Sequence, residues 1–335
     1  MVDLGRIGIV GGAGWLGTAI AKALVRSGTV SADRLICSFR RSKPVEPLDC
    51  HWTQDNRELV DNSDIVILSV RPQDWSTVDI DAAGKLVISV MAGVTVENIR
   101  ERTGSTRVAR ALPNAAAEIG FAYTPFFVAS SETGDAETVG ALFRGCGEVD
   151  LASREADIDY FTAMSGSGAA FPALLAEAMM NDAVARGITL AVARRAAQQV
   201  IIGAGRLQER DSASPDDTVK SFVDYRGTTA AGILAMRRAG FANVVEAGLD
   251  AAFRRRRFQF NNPVIERRAS HWNTRRFCPA RPIAAGSIWP CGRRRRSRPA
   301  PSRKTIPMTR ATRQDLRLLP ACRCVRRDGC CRWSA

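Results

Sequence analysis

Two glycine-rich stretches hold the residues best suited to chemistry. The first is Ile7-Gly-Ile-Val-Gly-Gly12-Ala-Gly14-Trp-Leu-Gly17, which runs on into Thr18-Ala-Ile-Ala-Lys-Ala-Leu24. It has a strand-like run, a Gly-x-Gly-x-x-Gly turn and a helical run, in the order a dinucleotide pyrophosphate requires. Gly12 is expected to permit the tight turn, Gly14 to let backbone approach phosphate, and Gly17 to let helix pack on strand. Gly12, Ala13, Gly14, Trp15, Leu16 and Gly17 are therefore candidate cofactor contacts. The alternative is a purely structural strand-to-helix turn. About 20 residues further on, an NAD site usually places an acid on the ribose. Here that region reads Cys37-Ser-Phe-Arg-Arg-Ser-Lys43. Arg40, Arg41 and Lys43 suit a 2′-phosphate instead, since a guanidinium can hold it with two hydrogen bonds; the alternative is a solvated basic loop. NADP(H) is the expected cofactor, with NAD(H) as the second choice.

The second stretch is Thr162-Ala-Met-Ser-Gly-Ser-Gly168, at the mouth of an apolar helix. Small side chains and unpaired N–H groups could receive a ligand there. The plain alternative is a helix cap with close packing. The chemistry available elsewhere is narrow. Residues 1–253 contain one histidine, His51, in a polar connection before the third expected strand, poorly placed for an acid/base role. The β-hydroxyacid dehydrogenases carry a lysine four residues after the last glycine of a comparable helix entry. Here that position is Pro172, and the helical half has only Lys220. No His, Cys, Asp and Glu grouping has metal-ligand spacing, so no metal is expected. Reduction of C=N fits better, because an imine can arrive already protonated and then needs alignment and one hydroxyl.

Elements that would position these groups follow from periodicity. Strand-like runs fall at 6–11, 34–39, 65–70, 86–91, 106–111 and 121–128, alternating with helical stretches. Near-continuous apolar strands imply a parallel sheet covered on both faces. From about residue 155 the strand pattern stops. Helices are expected at 161–187, 190–209, 229–239 and 244–253, with a loop at 212–217 carrying a helix-start signal. The fold class is thus α/β: a Rossmann-type domain over 1–153, then an all-helical domain over 154–253. Helices this apolar suggest a dimer interface.

The net charge of +14 is uneven. Residues 254–335 carry 23 Lys and Arg against 3 Asp and Glu, leaving 25 basic and 31 acidic residues in 1–253. The mildly acidic body gives no reason to expect nucleic acid or a membrane surface as partner. Cys37, Cys50 and Cys146 are scattered and fit a reducing, cytoplasmic setting. No secretory signal pattern opens the chain, and no apolar run reaches the roughly 18 residues of a membrane span. The basic, Pro- and Cys-rich tail from 254 has three readings: translation in a shifted frame, which its composition favours, a solvated disordered extension, or a nucleic-acid-binding arm.

Seven segments in register carry a resemblance. They are the glycine loop, Thr53-Gln-Asp-Asn56, Val70-Arg-Pro-Gln73, Ser89-Val-Met-Ala-Gly93, Arg110-Ala-Leu-Pro-Asn114, Thr162–Gly168 and Gly227-Thr-Thr-Ala-Ala-Gly232. Together they resemble the pyrroline-5-carboxylate reductase family over about residues 6–253. The resemblance implies NAD(P)H-dependent reduction of 1-pyrroline-5-carboxylate to L-proline. It implies that Asn56, Val70, Arg71 and Pro72 line the cofactor path, with Ala92 and Gly93 near the nicotinamide. It places the Thr229 hydroxyl on the ring nitrogen as the catalytic contact, and Gly227 and Thr228 on the substrate carboxylate. Ser165 and Ser167 would shape the same pocket. An interlocked homodimer is implied, each pocket drawing on both chains. The sequence departs from the family at Val223-Asp-Tyr-Arg-Gly227, where Ser-Pro-Gly-Gly is usual, and at Ala169 and Phe171. These departures leave another cyclic imine carboxylate open as substrate, and the tail leaves open a catalytically impaired product.

Overall fold

The computed structural model describes residues 4–211 and 213–258, all within one compact unit. Its first half is an eight-stranded sheet in the order β3-β2-β1-β4-β5-β6-β7-β8. The strands are β1 (Ile7–Val10), β2 (Leu35–Ser38), β3 (His51–Thr53), β4 (Ile65–Leu68), β5 (Leu86–Ser89), β6 (Arg107–Ala111), β7 (Ala122–Ala129) and β8 (Gly147–Leu151). Every residue of β1, β2, β4 and β5 is buried, as strands covered on both faces require. One apolar cluster contains Ile7, Ile9, Ile20 and Leu24, and the other Val10, Val66, Leu68 and Val87. Helix α1 (Trp15–Arg26) buries Ile20 and Leu24 in the first cluster.

Three features differ from the sequence expectation. The sheet is not wholly parallel, because β6 and β7 pair antiparallel and β8 then pairs parallel to β7. Only a short 3-10 turn, Ala115–Ile119, joins β6 to β7. A connection that short cannot make a parallel crossover. His51 lies in β3 rather than in a connection, and β8 is a further strand. Both are sheet edges with weak apolar alternation, which hides them in sequence. β3 is three residues long and β8 reads Gly-Glu-Val-Asp-Leu with two half-exposed and three exposed residues.

Local signals set the helix ends that matter for the site. Helix α2 (Asn56–Asp61) starts on Asp55, whose carboxylate accepts from the N–H groups of Arg57 and Glu58. Helix α3 (Val96–Thr103) is capped by Thr95 and stops at Gly104 in the left-handed region. Helix α4 (Asp135–Arg144) is tied to β6 by Arg107, which holds the Asp135 carboxylate at 2.6 Å.

After β8 all described residues with regular structure are helical. Helix α5 (Glu155–Met164) is followed by a turn and then α6 (Ala170–Ala185), so the expected 161–187 helix is broken. Next come α7 (Leu190–Arg210), α8 (Pro215–Asp224), α9 (Thr228–Arg238) and α10 (Phe241–Phe258). Helix α8 begins at the start signal inside the expected 212–217 loop and runs on to Asp224. Ser214 supplies the cap and Pro215 the first helical position. Helix α10 continues past 253, so residues 254–258 belong to it and not to the tail. The rest of the basic tail, from residue 259, lies outside the described residues.

This helical half does not close a core of its own. Helices α6 and α8 bury no residue, α7 buries only Ala193 and Ala197, and α9 only Ala230. Leu174 is 62% exposed and Val244 68%. No helix among the described residues is long and apolar enough to cross a membrane.

Candidate active site

A groove of about 470 Å³ opens at the C-terminal ends of β1, β2 and β4, where the strand order reverses about β1. Such a switch point is where open α/β sheets bind ligands. The glycine loop forms its floor. Gly11, at φ 80°, makes the turn, and a Cβ there would stand 2.6 Å from the Ser69 carbonyl. This role was expected of Gly12, which instead lies against β2: its Cβ would come within 2.8 Å of the Cys37 Cβ. Gly17 is needed for close packing, since a Cβ would meet the Gly11 carbonyl at 2.6 Å and Gly12 Cα at 2.9 Å.

Ser38, at the end of β2, locks this loop. Its hydroxyl accepts from the Gly11 N–H at 3.0 Å and its carbonyl from the Ala13 N–H at 3.2 Å. The Thr18 hydroxyl adds a bond to the Gly12 carbonyl at 2.9 Å. Gly14 caps α1 without any side-chain acceptor, so the first-turn N–H groups are open to an anion.

Of the residues expected at a cofactor, Ala13, Gly14, Arg40, Arg41, Asn56, Val70 and Arg71 line the groove. Gly12, Trp15, Leu16, Gly17, Pro72, Ala92 and Gly93 are not among its lining. Gly12 and Gly17 shape the loop, Leu16 packs on the core, and Pro72 opens the 3-10 turn Pro72–Thr77. Sequence reasoning missed Ser38, Phe39, Gln54 and Asp74, which also line it. Gln54 donates to the Arg40 carbonyl at 3.3 Å, and Lys43 stands 5.9 Å over the Phe39 ring. Asp74 faces the basic flank: Arg71 holds it at 2.8 Å and Arg40 Nη1 lies 3.7 Å away. The basic flank and the uncapped loop fit a phosphorylated dinucleotide.

His51 is not among the groove residues. It pairs with Glu58 at 3.0 Å, and the Thr53 hydroxyl and then His51 hold that carboxyl below its ordinary range. Cys37, under the loop, is a buried thiol pushed up by its bond to Cys50 and by burial.

The Ser/Gly segment forms the turn between α5 and α6. Ser165 ends α5, its hydroxyl donating to the Phe161 carbonyl at 3.2 Å. A Cβ on Gly166 would stand 2.6 Å from the Thr162 carbonyl, and one on Gly168 2.9 Å from that of Ser165. Only glycine therefore fits at these two positions of the turn. Asn114 Nδ2 donates to the Ser165 carbonyl at 3.0 Å, and Asn114 Oδ1 accepts from the Ala116 N–H at 3.0 Å. Above this pair, Arg110 is almost fully buried and binds Glu155 at 2.8 Å and Asp159 at 3.0 Å, both on α5.

Gly227 caps α9 without a side-chain acceptor, putting Thr228 and Thr229 in the first turn. Before it, Arg226 has φ 57° and Tyr225 is 84% exposed. Thr228 and Thr229 do not line the groove, and among the described residues no hydrogen bond joins them to Ser165 or Ser167. No group of three or more His, Cys, Asp or Glu among the described residues could hold a metal ion.

Comparison with known proteins agrees with this geometry. Residues 6–93 match the family described as NADP oxidoreductase coenzyme F420-dependent, and 155–258 match pyrroline-5-carboxylate reductase dimerisation. Together with the groove, these matches define an NAD(P)-dependent oxidoreductase with a helical dimerisation region. The pyrroline-5-carboxylate reductase of Mycobacterium leprae is 31% identical over 75% of this chain and 95% of its own length. Pyrroline-5-carboxylate reductase 3 of Rattus norvegicus is 29% identical over 74% of this chain and 93% of its own. The solved pyrroline-5-carboxylate reductase of Coxiella burnetii superposes with a TM-score of 0.68 at 26% identity, covering 76% of this chain and 98% of its own. The chain belongs to the pyrroline-5-carboxylate reductase family.

Proposed function

We propose that this protein reduces 1-pyrroline-5-carboxylate to L-proline, with NADPH preferred and NADH accepted. When bound, the dinucleotide supplies a hydride to the imine carbon; the nitrogen becomes the amine of proline. The observation that carries this reading is the glycine-floored groove flanked by Arg40, Arg41 and Arg71 in a member of this family. Gly14, Trp15, Leu16 and Gly17 offer backbone to the pyrophosphate, and Arg40 and Arg41 the charge for a 2′-phosphate. Asn56 touches the adenosine side, Val70, Arg71 and Pro72 line the cofactor's path, and Ala92 and Gly93 lie near the nicotinamide.

Thr229 holds the imine nitrogen through its hydroxyl, and Gly227 and Thr228 present N–H groups to the carboxylate. Ser165 and Ser167 form the opposite wall. Catalysis rests on alignment and electrostatics, since no side-chain acid is needed when the imine arrives protonated. Thr229 shares no lining with the groove of its own chain, and the helices leave apolar faces open. Both support a homodimer in which Thr229 serves the partner's nicotinamide. They also support a division near residue 153, nucleotide domain before and dimerisation domain after. The free thiols Cys37, Cys50 and Cys146 support a reducing cytoplasmic setting.

The test is NADPH oxidation with 1-pyrroline-5-carboxylate, on the full chain. Turnover is expected, and Thr229→Ala should lower kcat/KM about tenfold, the loss of one hydrogen bond. Cofactor binding without turnover on any cyclic imine acid would overturn the assignment. A second reading, a bulkier or doubly charged imine acid, is favoured by one observation: Arg226 occupies a left-handed position beside Gly227. A panel of cyclic imine carboxylates separates the two.

A further inference from the structure

The groove contains an acid that the β2 spacing rule cannot find. Asp74 lies on the 3-10 turn after β4, and its carboxylate lines the groove opposite the end of β2. Its backbone is pinned: its N–H donates to the Arg71 carbonyl at 2.8 Å, and its own carbonyl accepts from the Thr77 hydroxyl at 2.7 Å. Arg71 reaches the carboxylate with both Nε and Nη2, each at 2.8 Å, and Arg40 Nη1 stands 3.7 Å from the other oxygen. Two of the three guanidiniums in the groove are thus already facing a negative charge. Arg41, the third, makes no ion pair among the described residues.

This arrangement treats the two forms of the dinucleotide differently. A 2′-phosphate must compete with Asp74 for Arg40 and Arg71, or sit beside it against like-charge repulsion. A ribose with a free 2′-hydroxyl meets an acceptor, the part usually played by an acid at the end of the second strand. We propose that Asp74 sets the choice between the two cofactors, restraining the affinity for NADPH that the arginines confer and giving NADH an anchor. The inference rests on the groove being the dinucleotide site.

Dissociation constants for NADPH and NADH, read from nicotinamide fluorescence without substrate, test it on the full chain and on Asp74→Asn and Asp74→Glu. Asp74→Asn removes the charge and should move the two constants in opposite directions. NADPH should tighten by about three- to tenfold and NADH weaken by about threefold, roughly the effect of one charge at short range in a wet groove. Asp74→Glu keeps the charge and should stay near the unmodified ratio. A parallel weakening of both cofactors by Asp74→Asn would mean that Asp74 only braces the loop, and would overturn the proposal. An unchanged ratio would overturn it too. Binding of neither dinucleotide by the unmodified chain would instead refute the cofactor site itself. Because no turnover is measured, failure of the imine assignment does not affect the reading.

Discussion

Arg110→Met gives the sharpest test of how the sheet holds the helical half in place. The Arg110 side chain is 1% exposed and makes charge-assisted bonds to Glu155 and Asp159, which are 31% and 20% exposed. Burial pulls the Arg110 pKa down from its ordinary value and Glu155 resists this. The guanidinium stays charged because that ordinary value is so high. Breaking a buried pair by removing one partner costs about 3–5 kcal/mol. Here both carboxylates keep some contact with water, so the lower end applies, about 3 kcal/mol. Methionine is flexible and fills much of the vacated volume, which keeps any cavity contribution small. For a body of this size each kcal/mol moves Tm by about 2–4 °C, so a drop of about 6–12 °C is expected. Circular dichroism melts at one fixed protein concentration measure it, since dimerisation shifts Tm by mass action. A drop under about 2 °C, below the shift of a single kcal/mol, would refute the reasoning. Adding Glu155→Gln should recover part of the loss, because the charge that Arg110 leaves at Glu155 is then gone. If it does not, Arg110 acts through packing and not through charge.

Three further outcomes follow from the same geometry. Asn114→Ala frees the Ser165 carbonyl and should lower kcat/KM for the imine about tenfold, the loss of one hydrogen bond, while the NADPH dissociation constant stays put; equal loss in both would mean that the whole fold has loosened. Gly17→Ala forces a Cβ onto Gly11 and Gly12 and should weaken NADPH binding at least about tenfold by displacing the loop, with overpacking costing about 1–3 kcal/mol of stability; unchanged cofactor affinity in a fluorescence titration counts against it. Burial opposes ionisation of Asp135, yet Arg107 and the Ser130 hydroxyl outweigh it and hold the carboxyl below its ordinary range. A depressed carboxyl stabilises the fold above the unfolded-state pKa of about 3.9 and loses that contribution as pH falls through the lower folded value. Tm should therefore fall in acid, and Asp135→Asn should flatten that acid limb; parallel curves would refute the role.

Much of the nucleotide half was legible because its signals are local. The strand, glycine turn and helix follow each other within 20 residues, and the buried strands are continuous apolar runs. The two unseen strands, β3 and β8, are edges, short or charged, where burial does not impress a pattern on sequence. The missed helix break at Ser165 has another cause. Ala, Ser and Gly around it are compatible with helix, and the requirement for glycine at 166 and 168 shows only in how close backbone carbonyls come to them. The shift of the turn from Gly12 to Gly11 likewise depends on where β2 and the Ser69 carbonyl pack. Ser38 and Asp74 were out of reach for a similar reason. Ser38 meets Gly11 across 27 positions, and Asp74, besides its neighbour Arg71, faces Arg40 on the loop after β2.

The substrate half was legible as motifs but not as a pocket, and the geometry explains why. The Ser165 turn is held to the sheet by Asn114 and Arg110, so it belongs mechanically to the nucleotide half. Thr228 and Thr229 belong to α9, whose neighbours are helices that leave their apolar faces uncovered. A pocket made within one chain would need a contact between these two sets, and among the described residues no hydrogen bond provides one. On the proposed role of Thr229, a second chain supplying α9 would answer both facts at once: it would cover Leu174, Val244 and their neighbours and bring the threonine to a site that already has a cofactor wall. Dimerisation and catalysis are then one structural event. A change at the helical surface would lower activity without touching the groove, and the loss would deepen on dilution.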